Sequence, residues 1–124
     1  MNQRDSGDII FGMTKKGFPD ASAKSFQVKI RGKLFQGFVV RQGDHFFAYR
    51  NLCQHLPITL DLNDEDFFSH DKKFLQCQMH GAMYEIPTGL CIAGPCLGAR
   101  LIKLDLDQEG ENLVIRIPKN AAEE

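Results

Sequence analysis

Apolar and polar residues alternate along most of this chain, at a spacing of two. Residues 25–31 set Phe26, Val28 and Ile30 on one face and polar side chains on the other. That alternation predicts a half-buried strand. Residues 36–41 and 45–50 are rich in Phe and Val, and Gln42-Gly43-Asp44 between them reads as a hairpin turn. Further strands are predicted at 74–76, 82–86, 99–105 and 113–117, with a short one at 8–12. Gly and Pro punctuate these runs at Pro57, Pro87, Gly89, Gly94-Pro95, Gly98 and Gly110. A helical turn is allowed only at 61–68. Short strands with frequent turns and no long helical period predict an all-β antiparallel sandwich or barrel.

The 124 residues suit one domain. Residues 1–22 read as a loosely ordered lead-in, 23–118 as the folded domain and 119–124 as a frayed tail. Ten Phe against two Tyr and no Trp predict a core whose aromatics are mainly Phe. The formal net charge of −1 gives no reason to expect nucleic acid or an anionic membrane as partner. No stretch approaches the roughly 20 apolar residues of a membrane span. The polar N-terminus lacks the apolar core of a signal peptide, so a cytoplasmic or equivalent reducing compartment is expected.

Chemistry concentrates in Cys53-Gln54-His55 and Cys77-Gln78-Met79-His80. Each pair sets a thiolate and an imidazole close enough to converge from one loop. Two such pairs supply four ligands, enough for a tetrahedral zinc or for a two-iron cluster. His45 and His70 stand apart and read as surface or strand histidines. Cys91 and Cys96 could form a local disulfide or substitute as ligands; buried or loop thiols are the expectation, because the His-bearing pairs already complete a site. Asp61, Asp64, Glu65, Asp66 and Asp71 make an acidic stretch, either a solvated loop or a guide for a basic partner.

Gly81 follows His80, Tyr84 comes four residues after it, and Thr88-Gly89 and Gly94-Pro95 follow. In this the chain resembles the Rieske family, whose pattern is C-x-H, about 15–20 residues, then C-x-x-H-G. The likeness runs from about Val39 to Ile117. It is similar to the soluble ferredoxins of ring-hydroxylating dioxygenases and to the small Rieske subunits of nitrite-reductase-like systems. The resemblance implies a Rieske-type antiparallel fold with a small cluster-binding part at about 50–97. It also implies one [2Fe–2S] cluster, with Cys53 and Cys77 on a buried iron and His55 and His80 on an outer one. Leu56, Gly81, Tyr84 and Pro95 would surround the cluster, although Tyr84 also reads as a plain core aromatic and Gly89 as an ordinary turn glycine.

Respiratory and photosynthetic members place a disulfide-forming Cys where this chain has Ile58 and Met79, and a Ser where it has Ala82. Fewer hydrogen bonds to the cluster imply a potential near the low end of the Rieske range, roughly −150 mV. The function implied is one-electron transfer with a reductase or oxygenase partner. A zinc-stabilised interaction module using the same four residues is the alternative. Catalysis by this chain alone is not expected. A complete oxygenase needs a further mononuclear iron site, and only His45 and His70 are left to supply its histidines.

Overall fold

The computed structural model describes residues 8–52, 59–60, 67–78 and 81–119. Nine strands make up its regular structure: β1 (Ile9–Thr14), β2 (Ser22–Ile30), β3 (Lys33–Gln42), β4 (His45–Arg50), β5 (Phe74–Gln76), β6 (Met83–Glu85), β7 (Cys91–Ala93), β8 (Lys103–Glu109) and β9 (Asn112–Ile117). No helix occurs among the described residues. All strand pairs are antiparallel. One sheet has six strands in the order β1-β9-β8-β4-β3-β2, and a smaller one has three in the order β5-β6-β7.

Tight hairpins set the register. Ile30 pairs with Lys33 across Arg31 and Gly32, both at positive φ, 52° and 79°. That is the signature of the turn whose twist matches its strands. Gln42 pairs with His45 across Gly43-Asp44, with Gly43 at φ 63°. The two edges of the large sheet then meet, because Phe11 of β1 stacks on Phe26 of β2 at 4.7 Å between ring centroids. The sheet thus curls into a nearly closed barrel. Gly37 of β3 makes room for this closure: a Cβ there would stand 2.9 Å or less from the Phe26 ring.

Two cores result. One fills the barrel and includes Phe18, Phe35, Val39, Leu113, Ile115 and Ile117. Strict alternation along β9 supplies the last three. The other lies between the outer face of β3 and β4 and the small sheet, and includes Phe38, Tyr49, Leu60, Phe67, Cys77 and Tyr84. β3 is buried on both faces, which explains its unbroken apolar run from Phe38 to Val40.

Most predicted strands are present, but β2 and β3 start three residues earlier than expected. β1 and Phe18, within the expected lead-in, belong to the barrel. Three further differences stand out. β8 starts at Lys103 rather than 99, because residues 99–101 instead bond the β6–β7 region, Leu101 N–H donating to the Gly89 carbonyl at 2.9 Å. β7 was not predicted. At 67–68, where a helical turn was allowed, Phe68 bridges Leu75 as extended chain; residues 61–66 lie outside the described residues.

Asp20 fastens the barrel's lower loops. Its Oδ1 accepts from the Gly43 and Ala21 N–H groups at 2.7 and 2.8 Å. The Gly43 bond is the main reason its carboxyl sits below the ordinary 3.8. The stability it contributes is therefore present above that value and lost as pH falls through the lower, folded-state value. Asp20→Asn is expected to lower the urea midpoint at neutral pH. The gap to wild type should close on acidification; a gap that persists in acid would show that the charge is not responsible.

Candidate metal centre

Cys77 follows β5 and is fully buried. Its N–H donates to the Ala82 carbonyl and its carbonyl accepts from the Gly81 N–H, both at 2.8 Å. These bonds hold Cys77 against Gly81 and Ala82, between β5 and β6. Gly81 has φ 73°, a conformation that disfavours a side chain, which gives the Gly after His80 a backbone reason. His80 and Met79 lie outside the described residues, as do Cys53, His55, Leu56 and Ile58.

The residues flanking the first pair are described, and they lead to the second. Asn51, 5% exposed, accepts the Leu60 N–H on its Oδ1 at 2.8 Å. The Leu60 carbonyl in turn accepts the Gln78 N–H at 2.9 Å. Asn51 is itself anchored, its N–H donating to the Gln36 carbonyl of β3 at 2.8 Å. The chain therefore leaves β4 beside the point where it returns at Leu60, and Leu60 is bonded to the residue after Cys77. Sequence reasoning missed Asn51 and Leu60. The available signal was an Asn just past β4 and two positions before Cys53, since such an Asn commonly bonds nearby backbone.

A third segment closes on the second loop. Gly94 (φ 101°) packs so tightly that a Cβ would lie 2.7 Å from the Ala82 Cα. Pro95 beside it is exposed, and Leu97 is 70% exposed. Tyr84 is fully buried and its hydroxyl lies 3.1 Å from the Cys96 Sγ. Tyr49 donates to the Ile86 carbonyl at 2.6 Å and so joins the barrel to the small sheet. Burial pushes its phenol up, which keeps it neutral and a donor. Gly89, at φ 73°, would place a Cβ 2.9 Å from the Tyr49 ring; packing and turn geometry account for it.

His45 is exposed at the start of β4 and His70 is exposed in a turn. Asp71 is occupied locally, its carboxyl held low by the Lys73 N–H and the Ser69 hydroxyl. No group of three or more His, Cys, Asp or Glu suited to a metal occurs among the described residues.

Residues 16–115 match the Rieske [2Fe-2S] domain. The chain belongs to the Rieske family. Among solved structures, this Rieske chain is similar to the ferredoxin of carbazole 1,9a-dioxygenase from Nocardioides aromaticivorans IC177, with 23% identity and a TM-score of 0.67. The match covers 90% of this chain and 98% of the ferredoxin. The terminal oxygenase of carbazole 1,9a-dioxygenase from Novosphingobium sp. KA1 matches at 16% identity and a TM-score of 0.66, over 90% of this chain and 30% of that one. A chain from a complex of reduced oxygenase and oxidized ferredoxin in carbazole 1,9a-dioxygenase matches at 20% identity and a TM-score of 0.64, over 82% and 95%. A search of curated proteins found no match.

The family implies a [2Fe–2S] cluster, and the described residues fit one. The Cys77 thiol is buried among apolar side chains, its loop is closed by backbone bonds, and Gly94 is packed where no side chain would fit. A zinc module, the other reading of the four side chains, gains no support from the family match.

Proposed function

We propose that this chain is a one-electron carrier that holds one [2Fe–2S] cluster through Cys53, His55, Cys77 and His80. Leu60 is the observation that supports the reading most. Its N–H and carbonyl tie Asn51, two positions before Cys53, to Gln78, the residue after Cys77. When bound, the cluster supplies a site that gains and loses one electron. The protein's own part is to bury the Cys77 sulfur, hold its loop with the Gly81 and Ala82 backbone, and exclude water with Leu60, Tyr84 and Ala82.

The proposed partners are a reductase and an oxygenase, in keeping with the ferredoxin and oxygenase chains that share the fold. A cytoplasmic setting is part of the proposal. No helix of the described residues is long and apolar enough to cross a membrane. The chain is proposed to act as an electron-transfer component and to leave catalysis to its partner. A domain that begins before residue 23, since β1 and Phe18 belong to the barrel, with a cluster-binding part at about 50–97, belongs to the same proposal. Leu56, Gly81, Tyr84 and Pro95 are assigned to the cluster's surroundings.

Electron paramagnetic resonance of the dithionite-reduced protein tests the ligand set. Mixed thiolate and imidazole ligation is expected to give a two-iron signal with a low average g-value. Colourless, zinc-loaded protein with no such signal would defeat the proposal.

A further inference from the structure

Cys91 and Cys96 lie outside the four proposed ligands, and the fold brings them together. Their sulfurs are 3.0 Å apart and both are thiols. Cys91 opens β7 and is buried, whereas Cys96 is half-buried at the far side of the Gly94-Pro95 loop. Backbone bonds hold this arrangement independently of the sulfurs. The Gly98 N–H donates to the Cys91 carbonyl at 3.0 Å, and the Cys91 N–H donates to the Ala99 carbonyl at 2.8 Å. The Ala99 N–H then donates to the Cys96 carbonyl at 2.9 Å. A disulfide is about 2.05 Å long, so side-chain torsions need to close only about 1 Å.

We propose that Cys91 and Cys96 form a reversible two-electron oxidation site, converted by a peroxide or a small-molecule disulfide into an intrachain disulfide across the Gly94-Pro95 loop. With hydrogen peroxide, the more exposed Cys96 sulfur attacks one oxygen. The O–O bond breaks, one water leaves, and Cys96 becomes a sulfenic acid. The Cys91 sulfur then attacks that sulfur, the S–O bond breaks, and a second water leaves. Two thiols lose two electrons and two protons, and the peroxide is reduced to two waters. A small-molecule disulfide gives the same product by two exchanges and leaves as two thiols. Burial, aided by the Cys96 hydrogen bond, pushes Cys91 up to about 11, so it stays a thiol until Cys96 has reacted.

The loop concerned also carries Gly94 against Ala82, and Cys96 contacts the Tyr84 hydroxyl. Oxidation would thus reach the metal centre, a link that rests on the Rieske reading, whereas the bond itself does not.

The test uses the protein as isolated, with and without glutathione disulfide. Samples are trapped in acid, denatured, alkylated with N-ethylmaleimide and weighed. Reduced wild type is expected to carry an adduct on each of its four cysteines. Oxidised wild type should lose two adducts, with the link mapped to Cys91 and Cys96 and reversed by dithiothreitol. The double variant Cys91→Ser/Cys96→Ser should give the same count with and without oxidant. Wild type that keeps every adduct, carries a stable glutathione, or links another pair would overturn the proposal. Visible absorption recorded before the acid trap reports the cluster separately, so its absence would count against the carrier reading without altering the thiol count.

Discussion

Gly94→Ala is expected to destabilise the protein by about 2–5 kcal/mol and to lower its iron content. Two costs combine. Its φ of 101° disfavours any side chain, at about 1–2 kcal/mol. The new methyl would also meet the Ala82 Cα at 2.7 Å and the Ala82 nitrogen at 3.3 Å. Those are backbone atoms, and the Ala82 carbonyl holds the Cys77 N–H, so displacement passes to a proposed ligand. Overpacking of this kind adds about 1–3 kcal/mol. Gly98→Ala is the control: its φ is 91°, but nothing lies within 4 Å of the added carbon. It should lose only the conformational part and keep its iron. Urea unfolding and iron analysis of both variants check this, and equal losses in the two would show that the Ala82 contact carries no weight.

His80→Cys is expected to lower the reduction potential by roughly 100 mV, about half the difference between two-His and all-Cys clusters, while the two-iron cluster is kept. Thiolate donates more charge than neutral imidazole and favours the oxidised iron. The scale follows from clusters with two His ligands, at about −150 mV or above, against all-Cys plant-type clusters near −400 mV. Redox titration followed by visible absorption measures the shift. His70→Ala, at an exposed turn position, should leave the potential where it was. An unchanged potential in His80→Cys would remove His80 from the ligand set.

Strands with strong local patterns were readable in the sequence. β4 and β5 begin and end where alternation and turn residues place them, and Gly43 marks the β3–β4 hairpin. β8 was displaced because its pattern is weak: past Leu104 and Leu106 it runs through Asp105, Asp107, Gln108 and Glu109. Pairing with β9 extends it, with Asp105 opposite Arg116 and an Arg116–Asp107 ion pair at 3.2 Å. Tertiary pairing there overrides low strand propensity. β7 has three residues and exists through its pairing with β6, which no local signal announces. Of the proposed site, the Cys and His spacing is what the sequence offers, because each proposed ligand pair is local. Asn51 to Leu60, Leu60 to Gln78, and Gly94 against Ala82 join distant segments, and such contacts leave no periodic trace.

The two cores divide the molecule's dependence on metal. Cys77, the proposed ligand among the described residues, belongs to the apolar layer under the small sheet and not to the barrel core. Biogenesis can therefore start from a closed barrel that already presents β4 and Asn51. On the proposed reading, iron insertion then organises the outer layer that holds Cys77.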